Sequence, residues 1–267
     1  MSIAVDDLED LRRAVERLEN PSLAARLANM VGAPIEILGG ALPAKTKDVV
    51  AKATSTALEK ALRLAILTMQ GQSGGPADLM HKSAVGLSGA VGGLFGLPAL
   101  AIELPVSTTI MLRSIADIAR CEGEDLESPE TALACLQVFA LGGRSESDDA
   151  VDAGYFAVRG ALARTMIQAA EAITQRGFVT EGAPAVIRFL ASIASRFGVT
   201  VGEKLAAQAL PVIGAAGGAL VNLAFIDHFQ DVARGHFTVR RLERKYGVQA
   251  VKDAYEALRD GQPVPVS

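Results

Sequence analysis

Two long uncharged stretches constrain the fold of this chain more than any other feature. Residues 83–102 and 205–226 contain no Asp, Glu, Lys or Arg over 20 and 22 residues respectively. That length is close to what an α-helix needs to cross the hydrocarbon core of a bilayer. Both stretches are rich in Gly and Ala and contain Pro, so they also suit close-packed, kinked hairpins inside a helical protein. The sequence alone leaves both interpretations open.

Each stretch runs into a charged helix through a similar motif. Leu97-Pro98 leads, 20 residues on, to Asp117-Ile118-Ala119-Arg120. Leu210-Pro211 leads, 21 residues on, to Asp231-Val232-Ala233-Arg234. An internal duplication would explain this similarity, and so would a chance match between Ala-rich helices.

The apolar pattern predicts the fold class. Apolar residues recur at helical spacing along the chain, and no segment alternates convincingly with a period of two. We therefore predict an all-α multi-helix bundle with two Gly/Pro-rich apolar helical hairpins at its centre. Residues 71–76 form the clearest loop signal, which divides N-terminal helices over 1–70 from a core over 77–267 that ends in a basic helix. One continuous domain over 1–267 is the alternative.

Several helix boundaries follow from local signals. Pro43 predicts the start of a helix that runs to about residue 70, and Ser128-Pro129-Glu130 predicts another that ends at Gly142-Gly143. In the first uncharged stretch, we expect a turn or kink near residues 96–98 and then a helix that runs to Arg120. Gly247 predicts a break before the last helix.

The distribution of charge is asymmetric. The chain has a net charge of −4, but the segment from Arg234 to Lys252 carries +5, which leaves −9 for the remainder. The basic side chains fall on or beside one helical face directly after an uncharged stretch, as expected where a chain leaves lipid on the cytoplasmic side. A solvated face is the simpler interpretation. The candidate residues for binding an anionic surface are Arg234, Arg240, Arg241, Arg244, Lys245 and Lys252.

Two sets of polar residues stand out beside the apolar stretches. Glu103, Arg113, Asp117 and Arg120 lie at spacings that predict a polar stripe in the core, which Glu124 would extend. As a functional alternative, Glu103, Asp117, Asp227 and His228 would form the carboxylate and histidine site of a soluble hydrolase between the two hairpins. That alternative requires the four side chains to converge on one cavity.

Other classes of function have little support. No P-loop, GxGxxG or GxSxG motif is present, so the sequence gives no reason to predict a nucleotide-binding enzyme or a serine hydrolase. Cys121 and Cys135 form no CxxC pair, and we expect free thiols, no metal and no cofactor. The acidic N-terminus does not look like a secretory signal, and we expect a cytoplasmic protein that does not bind nucleic acid.

Several strings in this order resemble the EcsC family of bacterial proteins. They are residues 93–98 (GLFGLP), 103–105 (ELP), 112–119 (LRSIADIA), 123–126 (GEDL), 211–215 (PVIGA), Asn222 and 241–244 (RLER). The family takes its name from a gene that accompanies an ABC-transporter ATPase and its membrane subunit. The resemblance implies an all-helical protein associated with a membrane or lipid, and it supplies no catalytic residues.

The leading hypothesis from the sequence is therefore non-enzymatic. We expect a protein peripheral to, or partly inserted in, the inner membrane on its cytoplasmic side. Its partners would be anionic membrane lipid or a membrane protein such as an ABC-transporter subunit.

Overall fold

The computed structural model describes residues 3–19, 23–32, 34, 43–69, 96–143, 154–176, 183–209 and 214–264. Those residues form nine α-helices and no β-strand, as the sequence predicts. In chain order the helices are α1 (Val5–Leu18), α2 (Leu23–Val31), α3 (Ala44–Met69), α4 (Gly96–Cys121), α5 (Pro129–Leu141), α6 (Tyr155–Arg176), α7 (Pro184–Gln208), α8 (Gly214–Tyr246) and α9 (Val248–Arg259).

Most helix boundaries predicted from local signals are confirmed. The helix after Pro43 spans Ala44–Met69, and Pro129 opens a helix that stops at Gly142. The chain breaks between α8 and α9 at Gly247, whose φ of 90° is a conformation that glycine adopts without strain. Helix α4 runs through Pro105 without interruption. It begins at Gly96, and residues 83–95 of the first uncharged stretch lie outside the described residues.

Helix α5 lies at the centre of the bundle. Every residue from Thr131 to Ala140 is buried, and the helix contacts α3, α4, α6, α7 and α8. A helix that is apolar on all sides must be enclosed by others, which explains this position. Phe139 of α5 packs against Phe197 of α7 and Phe229 of α8, with ring centroids 4.8 and 5.4 Å away. The buried residues of α2 and α3 belong to the same core, so the helices before and after residues 70–95 share one apolar interior.

Helix α8 is the longest element, and its 33 residues span about 50 Å. The N-terminal helix α1 packs along its second half in the opposite direction: Asp7 contacts Lys245, whereas Leu18 lies over Gly235. A Cβ atom at Gly235 would lie 2.7 Å from Cγ of Leu18. The absence of a side chain at this position therefore allows α1 to approach α8 closely.

Helices α4 and α8 are parallel neighbours. Gln230 donates a hydrogen bond to Ser114, Thr238 donates one to Glu122, and Arg240 donates two to Glu124. The sequence separation is 116 residues in each pair. Because the separation stays constant along facing helices only when they run in the same direction, α4 and α8 start at the same end of the bundle.

Helices α7 and α8 form an antiparallel pair around the second uncharged stretch. Gln208 bonds to Asn222, and the ammonium of Lys204, one turn earlier, lies over the ring of Phe225, almost one turn later. The predicted hairpin at residues 205–226 is thus present as the end of α7 and the antiparallel start of α8, and residues 210–213 lie outside the described residues.

Candidate functional site

The parallel packing of α4 and α8 brings uncharged segments together at one end of the molecule. We define the uncharged end as residues 96–102 of α4, 205–208 of α7 and 214–226 of α8. On the outer side of α8, Leu220 and Leu223 are 51% and 55% exposed. They are one turn apart and therefore share a face. Large apolar side chains are thus exposed in the part of the chain that carries no charge.

One ion pair lies inside the base of the uncharged end. Nζ of Lys204 on α7 is 2.7 Å from Oε1 of Glu103 on α4, and 4.9 Å from the centre of the Phe225 ring. The Lys204 side chain is only 2% exposed, whereas that of Glu103 is 20% exposed. Glu103 therefore covers the ammonium on the side that faces solvent.

Helix α7 has the composition of a membrane span. Among the described helices it alone is long and apolar enough to cross a membrane by length and composition, and 39% of its apolar window is buried. It also contacts α2, α3, α5, α6 and α8. Within the described fold, α7 thus packs against five other helices, although less than half of its apolar window is buried.

The opposite end of α8 carries a dense set of ion pairs. Arg240 and Arg244 both contact Glu124, and Arg241 contacts Glu122, Asp7 and Asp10 at 2.7, 3.2 and 2.6 Å. Lys245 contacts Asp7 at 2.5 Å. We call these eight residues the charged cluster: Asp7, Asp10, Glu122, Glu124, Arg240, Arg241, Arg244 and Lys245. Four carboxylates match four cations, so the cluster as a whole is neutral.

The pKa values of two carboxyl groups reflect this pairing. The pKa of Asp7 lies below its usual value because Lys245 and Tyr246 donate hydrogen bonds to its carboxylate. Burial alone would raise the pKa of Glu124, but hydrogen bonds and charge from Arg240 and Arg244 outweigh burial and lower it. Both groups are therefore more stable as anions in the folded protein than in the unfolded chain.

The six basic residues predicted to bind an anionic surface all have acidic neighbours. Four belong to the charged cluster. Arg234 contacts Asp231 at 3.2 Å, and Lys252 contacts Glu256 at 3.8 Å. In the sequence, Glu243 is the only acidic residue among the cations of this segment. The carboxylates that pair with them come from distant parts of the chain, namely Asp7, Asp10, Glu122 and Glu124.

The four residues of the hydrolase alternative are not brought together. Glu103 and Asp117 lie on the same continuous helix, 14 residues apart, which separates them by about 21 Å along its axis. Asp227 is exposed, and Nε2 of the buried His228 donates to the carbonyl of Gly142 at 2.7 Å. Acid–base groups must share one reacting centre. This arrangement provides none for the four.

The predicted polar stripe on α4 divides into separate parts. Glu103 pairs with Lys204 inside the bundle, whereas Asp117 and Arg120 pair with each other at the surface, where their side chains are 65% and 66% exposed. Arg113 is half-buried between them. The recurring Asp-x-Ala-Arg motif has the same local structure in both copies, because Asp231 and Arg234 also form an ion pair three residues apart.

A buried polar group, which the sequence patterns do not predict, lies where α6 meets α8. The hydroxyl of Tyr155 lies 2.9 Å from Nδ1 of His236, and Arg159 donates to that hydroxyl and, through both terminal nitrogens, to Glu243. The direction of the Tyr155–His236 bond depends on the tautomer of His236, whose buried Nε2 has no hydrogen-bond partner among the described residues. Burial, and then Arg159 and Arg240, hold the pKa of His236 well below its usual value. In the sequence, the one signal for this buried polar group is the placement of polar residues within an otherwise apolar helix pattern.

Within the described ranges, no group of three or more His, Cys, Asp and Glu side chains could hold a metal ion. The family model of the EcsC protein family matches residues 6–242 of the 267-residue chain. The match begins in α1 and ends in α8, so it includes the uncharged end and most of the charged cluster. No curated protein and no solved structure matches the chain.

Proposed function

The chain belongs to the EcsC protein family, and from that premise we propose that it binds lipid bilayers through its uncharged end. In this proposal the protein enters one leaflet and does not cross the membrane. Helices with exposed apolar faces bind in this way at the boundary between headgroups and acyl chains.

The observation that supports this proposal best is the constant separation of 116 residues between α8 and the facing positions of α4 and of the turn that follows it. It places the uncharged starts of both helices at the same end of the bundle, together with the end of α7. Leu220 and Leu223 add exposed apolar surface there. Exposed apolar side chains grouped in an uncharged part of a protein fit a membrane or protein interaction site.

The depth of the uncharged end favours insertion into one leaflet. Glu103 is the first charged residue of α4 and lies seven residues after Gly96, which corresponds to about 10 Å along the helix. On α8 the uncharged run from Gly214 to Ile226 corresponds to about 18 Å, so on both helices the described uncharged segment is shorter than the ~30 Å thickness of the hydrocarbon core. The second stretch is divided between the end of α7 and the start of α8, so it gives a shallower apolar surface than its length alone indicates.

The charged cluster is not the lipid-binding surface in this proposal. Its four cations are matched by carboxylates of α1 and of the turn after α4, so no net positive charge attracts anionic headgroups to it. With the uncharged end in lipid, the charged cluster, which begins about 21 Å beyond Ile226 along α8, would face the aqueous side. An ABC-transporter subunit as partner and the cytoplasmic face of the inner membrane as location stay predictions from the sequence resemblance.

A single-tryptophan experiment tests the proposal directly. The chain contains no Trp, so one introduced residue reports one position. Leu223→Trp places the ring at the uncharged end, and Val248→Trp places it at another exposed apolar position, 60% exposed, at the start of α9. With phosphatidylcholine vesicles we expect a blue shift of Leu223→Trp emission and its quenching by brominated acyl chains, because the ring enters the interface.

Val248→Trp is the matched control, since it is equally exposed but lies beyond the far end of α8. Its emission should not respond to the same vesicles. Equal responses at the two positions, or none at Leu223→Trp while the protein remains folded, would exclude insertion of the uncharged end. Carbonate washing of cell membranes would separately test whether the wild-type chain is membrane-associated in cells.

A further inference from the structure

The Lys204–Glu103 ion pair is unusual in its location. Lysine side chains are almost never fully buried unless they are paired, and this one lies at the base of the uncharged end, next to the Phe225 ring. Gln208 and Asn222 bond to each other one turn nearer the tip of the hairpin. Lys204 is therefore the cation closest to the tip of the α7–α8 hairpin.

The depth of the pair corresponds to the headgroup region of a bilayer. If the uncharged end enters one leaflet, Lys204 lies five residues before Ala209, about 8 Å along the helix direction, which places the ion pair level with lipid phosphates. A lysine at that depth normally turns its ammonium toward the headgroups while its methylene groups remain among apolar side chains. Glu103 occupies the solvent side of Lys204, which is the side from which a headgroup would approach.

We propose that Lys204 binds the phosphodiester of an anionic phospholipid, and that Glu103 occupies the position of that group when no lipid is bound. The proposal rests on the lipid-binding function above and names the headgroup chemistry recognised by the same surface. A phosphodiester, like a carboxylate, offers anionic oxygens to an ammonium. Exchange of one for the other keeps the buried cation paired, which it requires in an apolar setting.

The test compares two vesicle compositions and two substitutions of opposite expected effect. Binding is measured through Leu223→Trp emission with phosphatidylcholine vesicles and with equal parts phosphatidylcholine and phosphatidylglycerol. Lys204→Met should reduce the preference for phosphatidylglycerol about fivefold, the effect of one cation near a charged surface. Glu103→Gln should increase that preference, because it removes the competing carboxylate.

Two further variants keep the result interpretable. Lys245→Met removes an ion-paired lysine from the charged cluster and should leave the preference unchanged. Glu103→Leu combined with Lys204→Met replaces the pair by apolar groups, a change that folded proteins tolerate well. It should lose the preference as Lys204→Met does, and it provides the answer if the single variants do not fold.

The outcomes separate this inference from the proposed function. If Leu223→Trp responds to neither vesicle, the proposed function fails. If it responds to both vesicles, and Leu223→Trp prefers phosphatidylglycerol equally with and without the Glu103→Leu and Lys204→Met substitutions, only the assignment of Lys204 fails. If inorganic phosphate without vesicles raises the thermal midpoint of wild type but not of the double variant, the ligand is a free anion and the lipid assignment is overturned.

Discussion

Replacement of Glu124 by Gln tests whether the basic segment of α8 is structural. The Glu124 side chain is 4% exposed and accepts two hydrogen bonds from Arg240 at 2.8 Å, one from Arg244 and one from Thr131 at 3.3 Å. Gln has nearly the same shape but carries no charge. The substitution therefore removes the ionic component and leaves two arginines without their carboxylate.

The expected loss of unfolding free energy is about 3 kcal/mol. Breaking one side of a buried ion pair costs about 3–5 kcal/mol. The lower end applies because the side chains of Arg240 and Arg244 are 21% and 44% exposed and regain water in the variant. For a chain of this size, about 3 kcal/mol corresponds to a thermal midpoint lower by about 6–12 °C.

Urea denaturation at pH 7 measures the difference in unfolding free energy between wild type and Glu124→Gln, and Glu130→Gln is the matched control. Glu130 is an exposed carboxylate at the start of α5, and its replacement should change the unfolding free energy by less than about 0.5 kcal/mol. A loss below about 1 kcal/mol for Glu124→Gln would refute the reasoning. Arg240 and Arg244 would then be available to a surface ligand, as the sequence alone indicates.

The pH dependence supplies a second check on Glu124. Its folded pKa lies below the unfolded value, so its contribution is complete above the unfolded pKa of about 4.3 and is lost as pH falls through the folded pKa. The difference between wild type and Glu124→Gln should therefore narrow below about pH 5. A difference that stays constant to the acid limit of folding would show that charge is not its cause.

Three further predictions concern packing, thiol reactivity and pH. In urea denaturation, Gly235→Ala should have an unfolding free energy about 1–3 kcal/mol lower than that of Gly160→Ala, because an added Cβ collides with α1 at position 235 and meets nothing at position 160. Equal unfolding free energies for the two variants would contradict the close approach of α1 to α8. Native protein should react with one equivalent of a thiol reagent, at exposed Cys121, since burial raises the pKa of Cys135 to about 12; two fast equivalents would refute this. His236 stays neutral in the folded protein but is protonated in the unfolded chain as the pH falls to 5. His236→Phe should therefore reduce the loss of unfolding free energy between pH 7 and pH 5 by about 2 kcal/mol. An unchanged dependence of the unfolding free energy on pH would count against burial of His236.

Local signals predicted the helices well, because caps, prolines and glycines act within a few residues. Pro43, Ser128-Pro129 and Gly247 each marked a boundary that the structure confirms. The prediction of an all-α bundle required only helical periodicity. Membership of the EcsC family was likewise indicated by local strings and is confirmed by the family match.

The partners of charged residues could not be predicted from local sequence. Lys245 contacts Asp7 across 238 residues, and Arg240 contacts Glu124 across 116. Read locally, the basic helix has six cations and one carboxylate, whereas the folded surface is neutral. The hydrolase alternative failed for a related reason, since residues on one helix face can be about 21 Å apart along its axis.

The placement of the two uncharged stretches follows from tertiary packing rather than composition. The sequence indicates two similar units, and the described helices place the two Asp-x-Ala-Arg motifs on parallel, adjacent helices. Two copies of one helical unit, repeated in the same orientation, would give this arrangement. An internal duplication therefore stays a prediction. Composition alone could not show that both stretches lead into helices that start at the same end.

The separation of 116 residues between partners on α4 and α8 also affects how the protein is made. At a synthesis rate of 5–20 residues per second, the ribosome needs about 6–23 s after Glu124 before Arg240 is added. During that time the buried carboxylate and the apolar faces of α4 and α5 lack the helix that covers them. We expect the nascent chain to be most vulnerable to proteases and aggregation in that interval, and any chain truncated before α8 to remain open.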